Sequence, residues 1–223
     1  MLQYEKKVAI YASRPKKRKE CIMPKELPEN LILLCGELLD EGAPCAIRGT
    51  EDAVAFSMKV TLPTGVDVLP VLIPKSKVDE TVVKGATISV TGRVLPEEVF
   101  AGEEYSLVLR VLVDEVYAGE TEIVSGVFLT GSVLRKPYSY PIEGGERAEL
   151  QIALEDEEGN AHPIPVSAQG NVVNNAKSLQ LGDVVSILGQ LHSYEYLDLD
   201  GASPSQKTAY EVEILHFTAL PKI

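Results

Sequence analysis

At 223 residues and 45% apolar side chains, the chain is long enough to bury two ordinary cores, and its net charge of −12 repels a polyanion at long range wherever cations do not cluster. Its three cysteines, Cys21, Cys35 and Cys45, stand at no CxxC spacing beside only three histidines, which supports neither a disulfide framework nor a zinc site. No stretch approaches the roughly 20 apolar residues of a spanning helix, and the first residues carry scattered charges where a signal peptide has its apolar centre, so no membrane association and a cytoplasmic location are expected.

Residues 1–28 form a basic N-terminal extension with eight Lys/Arg against three Asp/Glu, or +5. Most of that charge is the run Lys16, Lys17, Arg18 and Lys19, which attracts phosphates without sequence selectivity and is equally suited to dock on an acidic surface. The remainder is acidic in both halves. Residues 29–121 hold seven cations against sixteen anions, or −9, and residues 122–223 hold six against fourteen, or −8.

From Leu31 onward, short runs rich in Val, Ile and Leu alternate with period two and are separated by Gly, Pro and acidic clusters, a strand-and-turn texture. The first set is Leu31–Leu39, Ala53–Thr61, Val66–Pro74, Ala86–Leu95 and Tyr105–Tyr117, with a short helix over Lys75–Lys84 between the third and fourth runs. The second set repeats that order as Ile123–Leu134, Arg147–Glu155, Ala161–Ala168, Val184–His192 and Thr208–Phe217, with a helix over Asn171–Leu181 in the same place.

Paired glycines mark an internal repeat. Gly85 and Gly92 recur 97 residues on as Gly182 and Gly189, and Gly36 recurs 95 residues on as Gly131. An interior strand glycine is tolerated where a barrel strand bends or bulges, and five strands with a helix after the third is the order of the OB barrel. The fold class expected is therefore all-β, with two tandem five-stranded OB barrels over residues 29–119 and 120–223, joined near Ala118-Gly119-Glu120-Thr121.

Over residues 123–220 the chain resembles bacterial single-stranded DNA-binding proteins and their relative, primosomal replication protein N. The stretches that carry the resemblance are VFLTGSVLRKPY, GGERAELQIALED, IPVSAQGNVVNNAKSLQLGDVVSILGQLHSYEY and AYEVEILHF. It implies non-catalytic binding of single-stranded DNA in replication, repair or recombination. It also implies a symmetric oligomer, here a homodimer, with replication proteins as possible partners.

That binding needs exposed aromatic rings for stacking and cations beside them. With no Trp in the chain, the best candidates are Arg135, Lys136, Tyr138 and Tyr140, expected in an exposed hairpin loop after the first strand of the second barrel. His192, Tyr194 and Tyr196 alternate along the end of the fourth strand and project from one face. The extension residues Lys16, Lys17, Arg18 and Lys19 complete the candidate contacts. The acidity of both halves favours an alternative, an OB protein-interaction or scaffold module that binds no nucleic acid. No P-loop, GxSxG elbow, HExxH helix or dinucleotide-binding turn points to catalysis, and no cofactor or metal is expected.

Overall fold

The computed structural model describes residues 29–46, 52–101, 104–119, 125–155, 159–198 and 205–220. Among the described residues run eleven strands: β1 (Asn30–Leu38), β2 (Ala43–Cys45), β3 (Ala53–Leu62), β4 (Gly65–Pro74), β5 (Thr87–Ala101), β6 (Glu104–Ala118), β7 (Gly126–Ile142), β8 (Gly145–Glu155), β9 (Ala161–Gln169), β10 (Val184–Asp198) and β11 (Ser205–Ala219). One five-residue helix, α1 (Val173–Lys177), follows β9.

Strand β1 pairs with β5, β5 with β6, β6 with β4, β4 with β3, and β3 again with β1, so these five close into a barrel. The cycle β7–β10–β11–β9–β8–β7 has the same order. In both cycles the parallel pair joins the third long strand to the last, β4 to β6 and β9 to β11. The short β2, which the hydrophobic pattern did not disclose, pairs with β3 at the edge.

Period-two alternation fills the interiors. Ile32, Leu34 and Leu38 of β1 are buried with Met58, Leu69, Ile88, Val90 and Leu109, and Val127, Leu129, Ile152, Ile164, Ile187 and Val212 do the same in the second cycle. Each fully buried Leu or Ile contributes roughly 1.5–3 kcal/mol of hydrophobic stabilisation. Helix α1 covers one opening of its cycle with Val173 and Ala176, assisted by Leu179 just beyond.

The repeated glycines sit where backbones cross closely. A Cβ at Gly36, Gly92, Gly131 or Gly189 would lie within 3.0 Å of a carbonyl oxygen on the neighbouring strand, and Gly92 and Gly189 both stand at register shifts. Gly85 and Gly182 share a left-handed φ, 81° and 76°, in the turn leading into β5 and β10.

The two cycles join through β1 and β7, which pair antiparallel with Ile32 opposite Val127. Those two residues are themselves 95 positions apart, the offset of Gly36 and Gly131, so equivalent residues meet at the junction. Leu31 opposite Phe128 and Leu33 opposite Gly126 complete a local two-fold pattern. The buried core runs continuously through it.

Two expectations are corrected. The expected helix over Lys75–Lys84 is only a 3-10 turn, Lys75–Lys77. After it, Asp79 Oδ1 accepts from the Thr81 amide (2.8 Å) and hydroxyl (2.6 Å), an Asx turn that competes with helix, and Thr81, Val82 and Val83 are β-branched. Arg135–Tyr140 is not a loop but part of β7, whose register shifts twice between Val133 and Tyr138. Pro137 lies within the second shift, where its missing N–H costs no ladder bond.

Candidate nucleic-acid interface

The register of β7, β8 and β9 lays the outer-face residues of the second cycle in rows. Arg135 lies opposite Gln151 and Gln151 opposite Pro165; Tyr138, Glu149 and Ser167 form the next row, and Tyr140, Arg147 and Gln169 the third. On the far side, β10 and β11 pair His192 with Glu211 and Tyr194 with Ala209. Between these strands lies a hollow of about 150 Å3 whose lining includes Arg135, Tyr138, Gln151, Pro165 and Tyr194. A wider groove continues from it past Tyr140 and Arg147 to Thr64–Asp67, at the turn between β3 and β4.

The aromatic residues are accessible. Tyr138 is 64% exposed, Tyr194 49% and Tyr196 43%. Tyr140 packs on Tyr138 with ring centroids 5.9 Å apart at 32°, and its hydroxyl donates to Glu149 Oε1 at 2.5 Å. That hydrogen bond, then partial burial and the charge of Glu149, raise the Tyr140 pKa. The Tyr194 pKa is raised chiefly by burial and then by the charge of Glu211.

The floor of the groove is acidic but internally compensated. Glu211 is buried; Arg147 Nη2 reaches its two oxygens at 2.6 and 2.5 Å, and the Ser167 hydroxyl donates at 3.1 Å. Arg147 Nε also donates to Glu149 at 3.2 Å. Burial works against the guanidinium charge, yet hydrogen bonding to Glu211 and its charge prevail and raise the Arg147 pKa.

The remaining cations divide sharply. Lys177 pairs with Glu146 at 2.8 Å and Lys207 with Asp198 at 2.6 Å, while Arg135 and Lys136 are exposed and make no ion pair among the described residues. Among the described residues of the second cycle, the cations left open therefore stand beside Tyr138. In the first cycle Lys59, Lys77, Arg93 and Arg110 are paired with Glu37, Glu115, Asp114 and Glu97, whereas Lys75 and Lys84 are exposed and make no ion pair among the described residues.

Of the residues expected at the interface, Arg135, Tyr138 and Tyr194 share the hollow, Tyr140 lines the adjoining groove, and Tyr196 lies one step further along the same face of β10. Lys136 is exposed beside them without lining either depression. His192 lines the adjoining groove with Tyr140 and also braces the two cycles. Its Nδ1 donates to Asp67 Oδ2 at 3.0 Å, and Nε2 lies 3.4 Å from Glu213 outside hydrogen-bonding geometry. The Ser193 amide donates to Asp67 Oδ1 at 2.8 Å, so Asp67 of β4 ties the first cycle to β10. Lys16, Lys17, Arg18 and Lys19 lie outside the described residues.

Sequence reasoning passed over Arg147, Glu149 and Gln151. A signal was present, because RAELQI places them alternately with buried Ala148, Leu150 and Ile152. The Asp67 contact left no local signal, since its partners are more than 120 residues away.

No protein-family model and no curated protein matches the sequence. Among solved structures, a deletion mutant of the single-stranded DNA-binding protein from Thermus aquaticus superposes with a TM-score of 0.67 at 19% identity, covering 87% of this chain and 95% of that one. The wild-type protein of the same organism gives 0.65 at 19% identity, covering 86% and 93%. No helix among the described residues is long and apolar enough to cross a membrane. The chain has the OB-type fold of the Thermus aquaticus single-stranded DNA-binding protein.

Proposed function

We propose that this chain is a non-catalytic single-stranded DNA-binding protein of replication, repair or recombination, built from OB domains over residues 29–119 and 120–223. The observation that carries this reading is the convergence of Arg135, Tyr138 and Tyr194 on one exposed hollow. Base stacking on Tyr138 and Tyr194 contributes roughly 1–3 kcal/mol per base, and Arg135 and Lys136 add salt-dependent attraction for phosphate. Tyr140 and Tyr196 extend the stacking surface on either side. The coverage of both halves by one Thermus aquaticus chain supports the tandem arrangement.

The first domain serves chiefly as a structural or protein-binding copy, consistent with its charge of −9 and with the pairing of Lys59, Lys77, Arg93 and Arg110 to carboxylates. The extension with Lys16–Lys19 adds phosphate contacts, and the chain assembles as a cytoplasmic homodimer. Light scattering of the purified full chain tests the assembly, with a monomer mass counting against it. For DNA binding, anisotropy of labelled oligo-dT is measured with Tyr138→Ala combined with Tyr194→Ala. A loss of about 10- to 100-fold with an unchanged melting temperature supports the reading. Unchanged affinity overturns the assignment of the contact to Tyr138 and Tyr194, and no binding by the parent chain at low salt points instead to the interaction-module alternative, which the acidity of both halves favours.

A further inference from the structure

The hollow beside Tyr138 and Tyr194 has polar walls that tracking a DNA backbone does not require. Its volume of about 150 Å3 is the size at which an apolar protein cavity holds one benzene ring, so it matches a pyrimidine ring. Tyr138 and Tyr194 supply aromatic surfaces and Pro165 an apolar one, with Glu149, Gln151 and Arg135 as polar neighbours.

The carboxylate of Glu149 is half engaged. Its Oε1 accepts from the Tyr140 hydroxyl and from Arg147 Nε, which fixes the group in place, whereas Oε2 meets no donor among the described residues. The side-chain amide of Gln151, in the neighbouring row, also has no hydrogen-bond partner among them. An anionic acceptor beside a pyrimidine-sized hollow is suited to the N4 amine of cytosine, and it repels the O4 carbonyl that thymine and uracil present there. The NH2 group of the Gln151 amide, with two N–H donors, complements the acceptors of the remaining N3 and O2 edge.

We infer that this hollow is a base pocket selecting cytosine over thymine, with Glu149 as the specificity-determining residue. Arg135, at the rim, meets the adjoining phosphate. The inference rests on the DNA-binding reading above and sharpens it, because simple stacking accepts any base.

The test compares anisotropy titrations of the full chain with oligo-dC, oligo-dT and oligo-dU of equal length in one buffer. Affinity for oligo-dC about tenfold above oligo-dT, the factor expected of one charge-assisted hydrogen bond, with oligo-dU behaving as oligo-dT, supports the pocket. If oligo-dU binds like oligo-dC, exclusion of the thymine methyl is responsible and the role of Glu149 is overturned. Equal binding of all three, or preference for oligo-dT, overturns the selectivity and leaves DNA binding standing. No binding of any oligonucleotide overturns both. In Glu149→Gln, a variant of nearly unchanged volume, the ratio of dC to dT affinities should move to about one, and an unchanged ratio contradicts the assignment. The comparison in the unsubstituted chain stands whether or not that variant folds.

Discussion

Replacing Arg147 by Met tests how the acidic floor of the groove is held. Arg147 Nη2 contacts the two Glu211 oxygens, and the side chains are only 16% and 11% exposed. Arg147→Met therefore leaves a buried carboxylate with the Ser167 hydroxyl as its remaining partner in that group. Breaking one side of such a pair costs about 3 kcal/mol, roughly 150-fold in the folding equilibrium. With an m-value near 3 kcal/mol/M, the urea midpoint falls by about 1 M at unchanged slope. Arg147→Met combined with Glu211→Leu should regain most of that loss, because hydrocarbon of similar volume avoids the desolvation cost of both charges. Urea unfolding followed by circular dichroism reads both variants. A single variant within about 0.5 kcal/mol of the parent, or a double variant no more stable than the single one, refutes the assignment of Arg147 as the counter-charge of Glu211.

Gly189→Ala should cost about 1–3 kcal/mol, since a Cβ there collides with the Glu213 carbonyl, whereas Gly145→Ala, with open space around it and no left-handed φ, should stay within about 0.5 kcal/mol; thermal melts of the pair check this contrast. Tyr140, Tyr194 and Tyr210 all have raised pKa values, the first mainly through its hydrogen bond to Glu149 and the others mainly through burial. Folding thus favours their protonated forms, and the stability they contribute is complete below about pH 10 and is lost as pH rises through the folded values. Melting temperatures across that range should fall more steeply for the parent than for Tyr140→Phe, and parallel curves would contradict the Glu149 hydrogen bond. Asp67→Ala removes the acceptor of His192 Nδ1 and of the Ser193 amide, so hydrogen exchange at Ser193 should accelerate while exchange in β8 stays unchanged.

The order of the long strands was legible because their interior and exterior residues alternate with period two, and because the glycines return at nearly equal offsets of 95 and 97 residues. Strand lengths were not. The hydrophobic run that opens the second set stops at Leu134, but β7 continues to Ile142, since Pro137 falls at a register shift and interrupts no ladder bond. Propensity failed at Lys75–Lys84 for the opposite reason, as the side chain of Asp79 captured the backbone donors that a helix needs.

In the site, Tyr138, Tyr140 and Tyr194 stood out as aromatics beside cations or at strand spacing. Glu149 and Gln151 did not, because single polar residues on an outer face look solvated until cross-strand register sets them against tyrosines. His192 was legible as a strand residue but not as the partner of Asp67, a pairing that only the docking of the two cycles creates.

The most direct test of DNA binding is the affinity of the full chain for labelled oligo-dT as salt is raised from low to moderate concentration. Arg135 and Lys136 alone predict a slope of log affinity against log salt near −1.4, and engagement of Lys16, Lys17, Arg18 and Lys19 would steepen it to about −4. Either slope, with measurable binding at low salt, is the result predicted. Absence of binding at low salt, or an affinity indifferent to salt, would contradict it.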